Sequence, residues 1–209
     1  MKIKDIHQKL AHKIIEPLPG DALHQKFAPF GRSLKYDPES GLSLPKKGAV
    51  MLLISPDESG NPSILFTLRK ANLKNHGGQI SFPGGRFNED EVDAVDVAIR
   101  ECFEETGINI AKNQIMGNLT PLYIMPSNFD VQPVVALIDH KPELEIQVEE
   151  VEEVFFITLF DLMNTELNTV NIELKEGLTL QSPAFIHQEK VIWGATAMIL
   201  NEMLALLKS

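Results

Sequence analysis

Residues 2–15 place Ile3, Ile6, Leu10 and Ile14 at helical spacing among polar neighbours. That periodicity predicts a short amphipathic helix, which "EPLPG" ends. Residues 18–45 hold prolines and glycines without a periodic run and read as an irregular arm. The apolar runs "GAVMLLISP" (48–56) and "SILFTLRK" (63–70) flank the turn signal "SGNPS" and predict a hairpin. A glycine-rich loop follows, with a short strand at 80–82. A helix is expected from about Val92 to Thr106, with Asp90 as N-cap and Gly107 as its stop. Strands are expected at 114–123, 130–138, 151–158, 169–174, 179–186 and 189–193, and a last helix at about 194–207. The fold class this predicts is α/β, a mixed sheet with helices packed on it. Residues 1–45 form its N-terminal helix and arm, and residues 46–209 its main domain.

The helix at 92–106 carries the chemistry. At about 100° per residue, Val95, Ala98, Ile99, Cys102, Phe103 and Thr106 fall on one side, the expected core face. Glu101, Glu104 and Glu105 fall on the other. Glu101 and Glu105 are a like-charge pair one turn apart, which costs an isolated helix about 0.2–0.5 kcal/mol. No lysine answers them within "RECFEETGI". A hard divalent cation would, because Mg²⁺ and Mn²⁺ take oxygen ligands, bind phosphate oxygens and lower the pKa of an attacking water. Alone, three glutamates read first as an acidic solvated helix. Arg100 precedes them directly, however, and "PGG" (83–85) and Glu91 lie upstream. Arg100 is expected to hold Glu91 by a bidentate contact, and Gly84 and Gly85 to let a turn approach the helix closely.

Composition narrows the function classes. The 209 residues suffice for one hydrophobic core, and 44% hydrophobic with 23% charged residues is an ordinary globular balance. A net charge of −10 argues against a nucleic-acid binder. It leaves room for a small anionic nucleotide substrate, since a metal supplies local positive charge. Cys102 is the single cysteine, so no intrachain disulfide is possible. The first twenty residues lack the apolar core of a signal peptide, and no run approaches the roughly 18 apolar residues of a membrane span. A soluble cytoplasmic protein, monomer or homodimer, is the expectation.

The segment "GGRFNEDEVDAVDVAIRECFEETGI" resembles the Nudix box, G-x5-E-x7-R-E-U-x-E-E-x-G-U with U aliphatic. Gly85, Glu91, Arg100, Glu101, Glu104, Glu105, Gly107 and Ile108 match, with Cys102 at the first U. Eight residues rather than seven separate Glu91 from Arg100. "LFTLRKANLKNHGGQISFPGG" (65–85) is similar to the signature of the coenzyme A diphosphatase branch, LLTxRSxxLRxHxGxxxFPGG, and that branch carries the longer spacing. Lys70 and Lys74 stand where its serine and second arginine do. Segments 126–138, 150–162 and 192–200 resemble further parts of the branch, so the likeness covers about residues 48–207.

The resemblance implies an α/β/α sandwich and cleavage of coenzyme A to 3′,5′-ADP and 4′-phosphopantetheine. It implies Glu101, Glu104 and Glu105 as ligands of Mg²⁺ or Mn²⁺, with Glu101 also a candidate general base and Arg100 part of the catalytic set. Arg69, Lys74, His76, Gly84 and Gly85 are the substrate-side candidates, and Glu91 supports Arg100. Glu150, in the acidic cluster "EEVEE" (149–153), is a candidate extra carboxylate, although an exposed acidic turn is the plainer reading there. Another nucleoside diphosphate derivative, such as ADP-ribose or a dNTP, is the alternative substrate. A non-catalytic nucleotide sensor is the alternative class.

Overall fold

The computed structural model describes residues 2–30, 33–73, 76–173, 177 and 179–209. β1 (Lys46–Pro56) and β2 (Pro62–Arg69) form the expected hairpin. Asp57 closes its turn by accepting from the backbone N–H groups of Ser59 and Asn61, both at 2.8 Å. Residues Lys46–Ile54 of β1 pair in parallel with the whole of β7 (Phe129–Leu137). β3 (Ile80–Ser81) and β8 (Val151–Thr158) pair with β2, β4 (Gly84–Arg86) with β1, and β5 (Ile115–Asn118) and β6 (Leu122–Ile124) with β7, all antiparallel. Among the described residues these eight strands form one mixed sheet. β9 (Leu167–Glu173), β10 (Thr179–His187) and β11 (Lys190–Trp193) form a small antiparallel one. Leu174, expected in β9, lies outside the described residues.

Strand alternation sends side chains of β1 into two cores. Leu52 and Ile54 join Ile6, Leu10 and Ile14 of the N-terminal segment, Phe27, and Ile199, Leu200 and Met203. The helices on that side are α1 (Ile3–Lys13), α2 (Gly20–Phe27), α4 (Leu159–Asn164) and α5 (Gly194–Lys208). Ala49, Met51 and Leu53 pack on the other side against Val97, Ala98 and Cys102 of α3 (Ala94–Thr106). The result is the α/β/α sandwich expected from the sequence.

Four local readings need correction. The stretch 18–45 contains α2. Its buried positions are Gly20, His24 and Phe27, at helical spacing but mostly not apolar, so no stripe is visible in the sequence. α3 begins at Ala94, and its N-cap is Asp93, not Asp90: Asp93 Oδ1 accepts from Val95 N–H at 2.9 Å. The strand expected at 114–123 is divided into β5 and β6, with Gly117 at φ 145° beside a register shift. Finally, Phe103 is 54% exposed while Glu105 is 3% exposed, the reverse of the expected phasing. α3 buries Ala98, Cys102, Glu105 and Thr106, so its inward face is rotated toward the glutamates.

Candidate active site

Two glycines set the floor of the site. β4 lies against β1 with Gly84 opposite Val50 and Gly85 opposite Ala49. A Cβ on Gly84 would stand 2.5 Å from the Ala49 carbonyl oxygen and 2.7 Å from Val50 Cα. A Cβ on Gly85 would stand 2.3–2.6 Å from the Glu101 carboxylate. The first glycine therefore permits strand pairing, and the second leaves space for a carboxylate over the backbone.

α3 supplies that carboxylate. Gly107 ends the helix in the left-handed region (φ 74°) and donates its N–H to Phe103 C=O at 2.8 Å. Arg100 organises the exposed side. Its Nε and Nη2 donate to the two oxygens of Glu91 at 2.8 and 3.0 Å. Its Nη1 donates to Glu101 Oε1 at 2.7 Å and Glu104 Oε2 at 2.9 Å, and Nη2 reaches Arg86 C=O at 3.1 Å. The like-charge crowding is thus partly answered inside the motif, by the arginine before it. Hydrogen bonding to Arg100 holds Glu91 below the usual carboxylate range. Burial raises Glu101, against the opposing pull of Arg100.

Glu105 has no share in that network. Its Oε1 meets Arg69 Nη1 at 3.5 Å, and its Oε2 is buried with no hydrogen-bond partner. Burial pushes its carboxyl up to about 8, with Glu101 and Glu150 adding to the rise and Arg69 opposing it. A buried, half-unpaired carboxylate beside a second carboxylate wants a cation. Arg69 sits at a bulge of the β2–β8 pairing, and its Nη2 is 4.0 Å from Glu150 Oε2. Lys70 N–H donates to the Glu150 carbonyl at 2.9 Å. The loop before β8 thereby brings Glu150 next to the helix carboxylates, although its side chain is half exposed.

Glu101, Glu104, Glu105, Arg100, Glu91, Arg69, Glu150, Gly84 and Gly85 are thus brought together. His76 makes none of these contacts: it stands at φ 56°, and its ring nitrogen Nδ1 pairs with Gln79 Oε1 at 2.9 Å. Lys74 lies outside the described residues. Sequence reasoning passed over Gln147, whose N–H donates to Glu105 C=O at 3.2 Å. Nothing in a loop glutamine signals that contact in advance.

The donor set fits a hard divalent cation: all the candidate ligands are oxygens, and one buried carboxylate oxygen lacks any partner. Among the described residues no three His, Cys, Asp or Glu side chains form a finished coordination group. Glu101 and Glu104 each spend an oxygen on Arg100 Nη1 instead.

A mixed-sheet sandwich with an acidic helix behind a double-glycine turn defines a Nudix-type hydrolase. The chain belongs to the NUDIX family, whose domain profile matches residues 45–178. It is 33% identical over 155 residues to the mitochondrial coenzyme A diphosphatase NUDT8 of Mus musculus, covering 71% of this chain and 72% of that protein. To the Homo sapiens NUDT8 it is 35% identical over 152 residues, covering 71% of this chain and 64% of the human protein. An uncharacterized Nudix hydrolase NudL of Pectobacterium atrosepticum is 33% identical over 143 residues, covering 68% of this chain and 73% of its own. Among solved structures, a MutT/nudix family protein from Enterococcus faecalis aligns with a TM-score of 0.55 at 15% identity, covering 97% of this chain and 74% of its own. The MutT protein of Methanosarcina mazei Go1 aligns with a TM-score of 0.52 at 19% identity, covering 81% and 99%. At those identities the structural likeness is one of fold. No helix of the described residues is long and apolar enough to cross a membrane.

Proposed function

We propose that this Nudix hydrolase cleaves the pyrophosphate of coenzyme A or acyl-coenzyme A, giving 3′,5′-ADP and 4′-phosphopantetheine, with Mg²⁺ or Mn²⁺ held by Glu101, Glu104 and Glu105. The observation that carries the metal-dependent reading is the buried, unpartnered Oε2 of Glu105 beside Glu101, on an oxygen-only face. The choice of coenzyme A is supported by the 65–85 motif and by the names of the relatives at 33% and 35% identity.

When bound, the cation would neutralise charge on the pyrophosphate oxygens and lower the pKa of an attacking water. The chain's residues do the rest. Gly84 lets β4 lie close against β1, and Gly85 leaves room for the Glu101 carboxylate over the backbone. Glu101, raised by burial, accepts the proton of the water that attacks phosphorus. The new P–O bond forms as the bridging P–O bond breaks, and the other phosphate leaves. Arg100 holds Glu101 and Glu104 in place. Arg69 lies between Glu105 and Glu150, where its remaining N–H groups can meet a phosphate oxygen. Glu150 is an additional carboxylate of the site. A cytoplasmic setting belongs to the same proposal; the single buried Cys102 is compatible with it, and the NUDT8 relatives are mitochondrial by name.

The test is turnover of a panel containing coenzyme A, ADP-ribose and dNTPs with Mg²⁺ or Mn²⁺ and identification of products. 3′,5′-ADP from coenzyme A is the expected result. Cleavage of ADP-ribose with coenzyme A untouched would overturn the substrate. Full activity in Glu104→Gln or Glu105→Gln would overturn the metal site.

A further inference from the structure

Among the described residues the small sheet ends in a free edge: its strands stand in the order β11-β10-β9, and β9 pairs with β10 alone. Three observations on β10 show which backbone groups of β9 face outward. His187 and Lys190 flank the two-residue turn at 188–189, where Gln188 stands at φ 53°, and such a turn is closed by a hydrogen-bonded pair. Gln181 directs its C=O away from β9, accepting from Phe30 N–H at 3.3 Å. Pro183, opposite Thr169, has no N–H to offer. The odd-numbered residues of β10 therefore point away from β9 and the even-numbered ones toward it. Across the unshifted register, Asn168, Val170 and Ile172 bond to β10, while Leu167, Thr169, Asn171 and Glu173 turn N–H and C=O outward. Among the described residues no turn or loop bond reaches those outward groups.

An open edge is a template for another strand, and proteins guard such edges with lysine, proline, a bulge or an inward charge. β9, "LNTVNIE", has no lysine, proline or register shift, and its one charge is Glu173 at the end. All of its residues are exposed or half-buried. On a chain of net charge −10, so lightly charged an edge is one that a second negative copy can approach. The stretch is also complementary to itself. Laid antiparallel on its own copy about a two-fold axis at Val170, it sets Thr169 opposite Asn171 and Leu167 opposite Glu173. Within the strand no charge then faces its like. These four are the residues whose backbone groups point outward, so each facing pair exchanges two hydrogen bonds.

We propose that β9 is the contact surface of a homodimer, in which the β9 edges of two copies pair antiparallel and join the two three-stranded sheets into one. The occupant of the edge is a second copy of this chain, because the strand answers its own hydrogen bonds and charges in that register. The proposal does not depend on the metal or the substrate.

Sedimentation velocity of the purified full chain over a concentration series tests it. Wild type is expected to show a monomer–dimer equilibrium. Thr169→Pro removes an outward N–H that β10 does not use, and should weaken association about tenfold. The double variant Thr169→Lys/Asn171→Lys sets like charges opposite each other across the axis and should be monomeric, as should Thr169→Glu/Asn171→Glu. Both substituted side chains are exposed, so the melting temperature of each double variant should stay near that of the wild-type monomer. An equimolar mixture of the two double variants should restore the dimer, because every lysine then faces a glutamate. A wild-type chain that stays monomeric throughout the series overturns the proposal and leaves the edge to a strand of another protein. A wild-type dimer that all three variants retain overturns it by placing the contact elsewhere. If both double variants are monomeric and their mixture stays so, the antiparallel pairing about Val170 is refuted.

Discussion

Glu91 and Arg100 meet through two parallel bonds, Nε to Oε1 at 2.8 Å and Nη2 to Oε2 at 3.0 Å. The turn at 88–91 braces Glu91: its N–H donates to Asn88 C=O at 3.2 Å, and its Oε2 accepts from Asn88 N–H at 2.7 Å. The pair fixes one side of the guanidinium, leaving Nη1 for Glu101 and Glu104. Glu91→Gln should therefore lower kcat by about 10–100-fold without touching a reacting atom. Arg100→Lys should lose similar activity, because an ammonium cannot form both edges of the fork. Steady-state kinetics on coenzyme A check both; an unchanged kcat in Glu91→Gln would remove Glu91 from its positioning role.

The neighbouring glycines should fail in different ways. In Gly84→Ala the new methyl meets backbone atoms of β1, which cannot move aside, so thermal stability should fall by about 1–3 kcal/mol. In Gly85→Ala the methyl meets only the end of a side chain, which swings away. That variant should fold normally, bind Mn²⁺ less tightly and lose most activity. Melting curves set beside Mn²⁺ titrations separate the outcomes. A stable, fully active Gly85→Ala would show that Glu101 does not need its observed position.

Much of this site was legible beforehand because its residues sit at fixed spacings on one helix and one turn. The spacing identified Glu101, Glu104, Glu105, Arg100 and Glu91, and the hairpin, β8 and α5 followed from apolar runs with clear stops. What escaped notice depended on tertiary context. Phe103 and Glu105 exchanged their expected environments because the packing direction of α3 is set by the sheet beneath it, not by its own most apolar arc. α2 was missed because His24 is buried only by virtue of a partner 178 positions away. The Glu150 contact with Arg69 arises from a strand bulge, which no local pattern announces.

The raised carboxyl of Glu105 makes stability depend on pH. Its folded value of about 8 lies above the ordinary 4.5. The folded chain therefore holds a proton that the unfolded chain has released between those values. This contribution is fully present below about pH 4.5 and is lost as pH rises to about 8. In a chelator, Glu105→Gln should be more stable than wild type by about 1–3 kcal/mol above pH 8, with little difference near pH 5. Mg²⁺ should reverse the order, since the charged carboxylate then gains its partner. Melting temperatures from pH 5 to 9, with chelator and with Mg²⁺, test both halves. A Glu105→Gln variant less stable than wild type in chelator at pH 8.5 would contradict the assignment.

Away from the site, stability should hang on a buried polar knot. His24 Nε2 lies 2.9 Å from Glu202 Oε2, and both residues are at most 1% exposed. Thr120 donates its hydroxyl to Glu202 Oε1 at 2.6 Å, and Gly20 is bare because a Cβ there would strike the Thr120 side chain. The knot ties α2, α5 and the turn between β5 and β6 together, on the side of the sheet opposite α3. Deleting His24 leaves the buried Glu202 carboxylate with only its Thr120 donors, so His24→Leu should cost about 1–3 kcal/mol. Adding Glu202→Leu to it should recover part of that loss rather than double it, because no buried carboxylate then remains. Urea denaturation of the two single variants and the double variant measures the coupling. The kcat of folded His24→Leu should match wild type, since among the described residues no hydrogen bond or ion pair links this knot to the glutamate face. A simple sum of the two single costs would mean that the residues stabilise the fold independently.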